Sequence, residues 1–356
     1  MIPYIIIYLF ATFLFFKEKV SVEFYFFLGL LILFSGFRDM IGGFDVYIYG
    51  EVFEGTKEFL MGYIPFEIGF RFYFLFLTIF STDRHFMFFV TAAIIMSLHF
   101  FAVKKSSPIV YFSIFILFCK FFLMSFVYLR QGIAMGIFWL SIPYILNRKF
   151  LKFTAFAALA FLFHKSSIIF FPIYFISTIK FKNVNMVLIA LGAVIISLSP
   201  LSTLFLGMIA ENSGDEKLMV YADKSSAINI FYLIEAALLI YLMVKFRSGF
   251  YKTKFGILML NGLFGYIVIN IMALTNASFI RFGWYYIIFL AIALPYMYTL
   301  IDDKELKSKF KTLVFVYYSL LFFRLLISYD EGDLMPYKSI FQDFRRNGMW
   351  EHYEYR

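Results

Sequence analysis

Long apolar runs separated by short polar links recur along the whole chain, at residues 2–16, 22–37, 64–80, 86–103, 108–129, 132–146, 153–163, 166–179, 184–210, 228–244, 255–274, 282–300 and 312–328. Most are near the length that crosses a bilayer as a helix, about 20 residues. They are continuous, without the roughly ten-residue alternation of a membrane barrel. The pattern predicts an all-α polytopic integral membrane protein with about 12–14 transmembrane helices. No basic segment precedes the first run and no small-residue cleavage site follows it, so it is expected to be a span and not a cleaved signal. With no internal repeat and no Gly/Ser-rich or Pro-rich linker, residues 1–356 read as a single membrane domain, with polar excursions at 38–63, 211–226 and 329–356.

Composition sharpens this reading. Hydrophobic residues make up 62% of the 356 and charged residues 15%, against about 25% charged in a soluble domain. A chain so poor in polar surface is neither a soluble enzyme nor a disordered protein. The formal charge of +9 would raise a nucleic-acid partner in a soluble chain. Here the basic residues sit in the links between apolar runs, so topology accounts for most of them and no nucleic acid is expected. The one cysteine, Cys119, lies inside an apolar run, which excludes a disulfide and a thiolate metal cluster. With 4 His and neither a His-Glu-x-x-His nor an Asp-x-Asp pattern, no metal is expected. No phosphate-binding Gly-rich loop is present, and no cofactor is expected.

The strongest basic links are Lys104-Lys105, Arg148-Lys149 with Lys152, Lys180 with Lys182, and the stretches 245–254 and 304–311. Placed on the cytoplasmic side by the positive-inside rule, they put Arg130, His164, the loop 211–226, the loop 275–281 and the C-terminal tail outside. From Lys104 onward this alternation is self-consistent. Upstream it fails: with Lys17 and Lys19 inside and two spans between Arg38 and Val103, Lys104 would emerge on the wrong side. One segment there must therefore be re-entrant or miscounted, or the N-terminal sidedness is reversed.

An ionisable group within a membrane is costly and so draws attention by default. Glu67 and Arg71 stand four apart and read as a pair on one helix face. Glu235 lies mid-span and reads as a hydrogen-bonding partner of a neighbouring helix. Arg130, His164 and Arg281 all fall on the outward side. Arginine offers a planar, permanently charged fork suited to a phosphate or diphosphate. A set of arginines beside a titratable imidazole and a carboxylate points to a site for a lipid-linked phosphate ester.

Several short stretches, read in order, carry a resemblance. They are Gly36-Phe37-Arg38-Asp39, Gly43-Phe44-Asp45 with Tyr49, Phe66-Glu67-Ile68-Gly69-Phe70, Tyr128-Leu129-Arg130-Gln131-Gly132, Phe163-His164-Lys165-Ser166, Arg281-Phe282-Gly283-Trp284 and Met335-Pro336-Tyr337-Lys338-Ser339. Together they resemble the EpsG/Wzy family of bacterial exopolysaccharide and O-antigen polymerases. Phe44 stands where that family usually has Thr, while Asp45 is retained.

The resemblance implies a multi-pass protein of the bacterial inner membrane. Such a glycosyltransferase moves a growing glycan from undecaprenyl diphosphate onto the non-reducing end of another undecaprenyl-diphosphate-linked oligosaccharide at the outer face. A flippase and a chain-length regulator would be its partners beside the lipid bilayer. Arg130 and Arg281, with Arg38 as a third, would bind the diphosphate, and fixed guanidinium groups there would stabilise the leaving charge. Gln131 with Arg130 would hold the acceptor sugar, and Asp45 and Tyr337 complete the substrate-binding set. His164 is the expected general base by its titration range, with Glu67 the alternative. The rival readings are a flippase for the same lipid-linked glycan, a ligase-like glycan transferase, and a membrane acyltransferase with His164 as base, for which no Asn/Asp partner arrangement is present. The product distinguishes them.

Overall fold

The computed structural model describes residues 1–202, 204, 207, 228–328 and 334–342. The expected loop at 211–226 and the tail beyond residue 342 lie outside the described residues. In chain order the helices are α1 (Ile2–Phe15), α2 (Glu23–Gly36), α3 (Phe44–Glu54), α4 (Lys57–Gly62), α5 (Ile68–Leu77), α6 (Arg84–Ser106), α7 (Val110–Leu117), α8 (Leu129–Leu140) and α9 (Ile142–Leu146). They continue with α10 (Phe150–Phe163), α11 (Ile173–Ile176), α12 (Asn183–Leu198), α13 (Ile230–Phe250), α14 (Lys254–Met272), α15 (Ile280–Trp284), α16 (Ile287–Thr299) and α17 (Lys304–Ser328). The described residues contain no strand, only an isolated antiparallel bridge between Arg38 and Ser339.

Four helical segments are long and apolar enough to cross a membrane: Arg84–Ser106, Leu129–Leu146, Lys254–Met272 and Lys304–Ser328. A bent pair, Ala277–Trp284 with Ile287–Thr299 at 66°, adds a fifth if counted as one span. Among the described residues, the shorter apolar helices of 10–17 residues, α5 among them, fall below that length, so four to five candidate spans stand against the about 12–14 expected. The chain is an all-α, multi-pass membrane protein.

Contacts divide it into two compact units, one of Met1–Leu140, Ala155–Lys165 and Ile301–Arg356, the other of Ser141–Thr154 and Ser166–Leu300. The first unit is organised around α6. Its N-cap Asp83 accepts from the backbone N–H groups of His85 and Phe86 at 2.7 and 3.1 Å, and Lys104 and Lys105 occupy its last turn. Both ends thus complement the helix dipole. At about 1.5 Å per residue its 23 residues span roughly 34 Å, enough for a hydrocarbon core of about 30 Å. Helix α8 lies close against it because Gly132 and Gly136 present no side chain. A Cβ at Gly136 would come within 2.5 Å of the Leu98 Cβ, and one at Gly132 within 2.9 Å of the Ile95 Cδ1. Small residues four apart are the usual means by which membrane helices approach this closely.

Side-chain contacts sort the first unit into two ends. At the basic end Lys104 Nζ donates to the Tyr25 hydroxyl at 2.8 Å, Ser21 N donates to the Tyr111 hydroxyl at 3.2 Å, and Lys311 lies over the Phe15 and Phe16 rings. At the other end Arg84 is ion-paired with Glu54, and His85 meets Asp39 at 3.2 Å. There the tail runs beside the end of α2, with Asp39 N donating to Lys338 O at 2.9 Å and Ile340 N to Phe37 O at 3.1 Å.

The segment from Arg38 to Arg84 therefore leaves and re-enters at the same end, which removes the parity failure upstream of Lys104. The expected span at 64–80 is no crossing. Its helix, α5, has ten residues and rises only about 15 Å.

In the second unit α14 is buried nearly throughout. Gly262 admits the Phe289 ring of α16, whose Cγ would lie 2.1 Å from a Cβ at that position. Buried Asn261 donates from Nδ2 to the carbonyls of Ile176 and Ile179 at 2.6 and 2.9 Å. Glu235 on α13 accepts from the Tyr266 hydroxyl of α14 at 3.4 Å, the interhelical bond expected of it.

Candidate active site

Three residues far apart in sequence converge in the first unit. Glu67 lies just before α5 and serves as its N-cap position, outside the helix proper. His164 follows the last residue of α10, and Arg130 is the second residue of α8. Glu67 Oε2 accepts from Arg130 Nη1 at 2.6 Å, and Glu67 Oε1 lies 2.7 Å from His164 Nδ1. The backbone N–H of Lys165 also donates to Oε1, at 3.1 Å. The side chains of Glu67, Arg130 and His164 are 9%, 18% and 24% exposed, so the cluster is sheltered yet open at the imidazole.

Each member is held in place by its surroundings. Gly69 lets α5 meet the end of α10, since a Cβ there would lie 2.7 Å from the Leu162 carbonyl oxygen. That close approach is what brings Glu67 to His164. Arg130 Nη1 also donates to the Pro65 carbonyl at 2.7 Å, Nε donates to the Tyr49 hydroxyl at 3.4 Å, and the guanidinium lies 4.9 Å from the centre of the Phe66 ring. Tyr49 and Phe66 stack at 5.2 Å, forming an aromatic wall for the cation. Burial pushes the Glu67 carboxyl upward, but His164, Arg130 and the Lys165 N–H outweigh it and hold the group well below the usual carboxylate range.

This charge state fixes the histidine. A carboxylate only accepts, so at 2.7 Å the imidazole Nδ1 carries the proton and donates. In the neutral ring the basic lone pair is then on Nε2.

Arg71 does not pair with Glu67. Its Nη1 donates to the Met61 carbonyl, closing the end of α4, while Glu67 is taken by Arg130 and His164.

The remaining expected site residues occupy both units. Arg38 is 1% exposed and Gln131 2%. The Tyr337 hydroxyl donates to the Phe34 carbonyl at 2.7 Å, and its ring packs 4.3 Å from that of Phe34. Asp45 sits half-buried in the first turn of α3, one turn before Tyr49. Arg281, on α15, belongs to the second unit.

The sequence reading passed over Tyr49, Phe66 and His99. Tyr49 stands one helical turn after Asp45 in a stretch already singled out. His99 is ionisable within a span, a signal that was available. It is 2% exposed, its Nε2 lies 2.8 Å from the Gly132 carbonyl, and its ring lies 4.5 Å from that of Trp139.

A model of the EpsG family matches residues 21–339, nearly the whole chain, a range within which the stretches named above all lie. The chain belongs to the EpsG family. Membership supports a polysaccharide-polymerase-like role in a membrane. No curated protein and no solved structure matches the sequence. In this EpsG-family protein Glu67, Arg130 and His164 are joined by direct side-chain contacts.

Proposed function

We propose that this EpsG-family chain is a polysaccharide polymerase of the bacterial inner membrane that uses lipid-diphosphate-linked glycans as both donor and acceptor, with His164 as the general base. The observation behind this reading is the Glu67 carboxylate bound at once to Arg130 Nη1 and His164 Nδ1. An acceptor hydroxyl at the non-reducing end of one unit attacks the anomeric carbon of the other. The new C–O bond forms as the C–O bond to the diphosphate breaks. The hydroxyl proton passes to His164 Nε2, and the polyprenyl diphosphate leaves with the bonding pair. Undecaprenyl is the expected carrier in this family.

In this scheme Glu67 is the group that orients the base. It fixes the tautomer, and its negative charge stabilises the imidazolium that forms as the proton arrives. Arg130 keeps Glu67 ionised and in place. With Nη1 and Nε engaged by Glu67, Pro65 and Tyr49, it offers Nη2 to an incoming oxygen. For Arg281 and Asp45 the support is the family motif. The partners that follow are a flippase, which delivers the units to the outer face, and a chain-length regulator.

The test is the glycan ladder made by purified protein in lipid from polyprenyl-diphosphate-linked repeat units, without nucleotide. The expected result is a ladder that Arg130→Ala and His164→Ala abolish while both variants still insert in the membrane. Units moved between leaflets without lengthening would instead mark a flippase. Glycan transferred only to a different lipid acceptor would mark a ligase.

A further inference from the structure

Arg38 has surroundings unlike those of Arg130. It is 1% exposed and has no carboxylate partner among the described residues. Its Nη2 donates to the Phe126 carbonyl at 2.7 Å and its Nη1 to the Ser35 carbonyl, while Nε has no hydrogen-bond partner. The rings of Phe88 and Phe126 each lie with their centres 4.9 Å from the guanidinium carbon. Burial pushes its pKa down to about 10, with the Tyr337 and Tyr4 phenols acting in the other direction, so it remains a cation at neutral pH. A buried cation without a counter-charge is expensive to keep. Its position shows what it holds.

The helix that begins as α7 continues through a π-helical turn (Phe118–Phe122) and a 3-10 turn (Leu123–Phe126), and there it ends. Phe126 thus presents one of the carbonyls that a helix end leaves without an intrahelical partner, at the pole that favours a positive charge. The chain then reverses within two residues, and α8 begins at Leu129 with Arg130 as its second residue. The same N-terminal segment meets this reversal again at Gly42, whose φ of +121° admits only glycine comfortably and whose Cβ would lie 2.7 Å from the Val127 Cγ2. A third attachment is the bridge from Arg38 to Ser339 in the tail.

We propose that Arg38 is a positioning residue for Arg130 and not a ligand of the substrate: by gripping the Phe126 carbonyl it fixes where α8 starts, and hence where Arg130 meets Glu67. The family stretches around Arg38 and Tyr337 then form a scaffold for the catalytic cluster. Lysine at position 38 keeps the charge but lacks the planar fork that reaches both carbonyls.

This inference rests on the reading of Arg130, Glu67 and His164 as the catalytic unit, and three measurements keep the two separable. The first is polymer formation from polyprenyl-diphosphate-linked repeat units by Arg38→Lys, Arg130→Lys and the double variant. Expected are a fall of about tenfold in kcat with KM unchanged for Arg38→Lys, and no further fall when it is added to Arg130→Lys. A raised KM with kcat intact, or losses that multiply in the double variant, would overturn the proposal.

The second is hydrogen exchange of the backbone at residues 127–132. It should accelerate in Arg38→Lys even if polymerase activity is never found, and unchanged exchange would overturn the proposal on its own. The third uses the wild-type protein and so does not depend on a variant that folds. Phenylglyoxal should leave Arg38 unmodified with or without repeat units present. Modification of Arg38 that the repeat units suppress would make it a substrate ligand instead.

Discussion

Replacing Glu67 by Gln keeps the volume of the side chain and changes only its hydrogen bonding, and the geometry leaves the amide no good orientation. With its oxygen toward His164 Nδ1, at the 2.7 Å now occupied by Oε1, the amide NH2 faces Arg130 Nη1 at 2.6 Å, donor against donor. With its oxygen toward Arg130, the NH2 faces His164 and Nδ1 must accept, so the proton moves to Nε2 and the lone pair there is lost. The Lys165 N–H, which also points at Oε1 from 3.1 Å, disfavours that second orientation and adds to the frustration. Either way the base is misplaced or in the wrong tautomer. General-base assistance is worth about 10²- to 10⁴-fold, so the expected loss in kcat is of that order, or about 3–5 kcal/mol in the barrier. The assay is the initial rate of ladder formation from lipid-linked repeat units, with variant and wild type matched for membrane content. Glu67→Asp, which keeps the charge on a shorter arm, should retain more activity than Glu67→Gln. A Glu67→Gln enzyme with half the wild-type rate or more would refute the argument that Glu67 sets the state of His164.

Other expectations follow from the same contacts. Gly69→Ala should drive α5 from the Leu162 carbonyl, which lies 2.7 Å from the new Cβ, and separate Glu67 from His164; activity should fall by about 10²-fold, and a wild-type rate would show that the two helices can part without harm. Tyr49→Phe removes only a long 3.4 Å bond to Arg130 and should change the rate by less than about threefold, roughly 0.65 kcal/mol. Phe66→Ala, by contrast, should lower the melting temperature in detergent because a buried aromatic truncation costs about 3–5 kcal/mol.

The depressed Glu67 carboxyl also makes a pH prediction. Its contribution to stability is fully present above the ordinary carboxylate value of 4.5 and is lost as pH falls below it through the folded-state value. Thermal stability should therefore decline more steeply in that window for wild type than for Glu67→Gln, and parallel curves would refute the ion pair. Finally, single cysteines at Lys19 and Lys105 should label from one side of the membrane and a cysteine at Thr56 from the other; labelling of all three from one side would overturn the two-ended arrangement.

Much of the protein was written in its sequence. Apolar runs of membrane length can only be buried as helices whose backbone polar groups are satisfied internally, so an all-α membrane fold follows from the pattern alone. The failed parity upstream of Lys104 called for a re-entrant or miscounted segment between Arg38 and Val103, or for a reversed N-terminal side. Length and hydropathy could not say which, because a short re-entrant helix is as apolar as a span. The ion pair of Arg84 with Glu54 and the contact of His85 with Asp39 decide it for α5 by returning its flanks to one end.

The site divides in the same way. Arg130, His164 and Glu67 were each legible as charges where charges are expensive, but spacing along one helix offered Arg71 as the partner of Glu67. Tertiary structure chose instead two residues 63 and 97 positions away, because Gly69 lets α5 meet the end of α10 and the turn after Phe126 swings Arg130 toward the same carboxylate. Whether an arginine faces substrate or is sealed among phenylalanines, as Arg38 is, depends on packing between distant segments. Residue type and membrane side determine the candidates, and only the fold decides which of them meet.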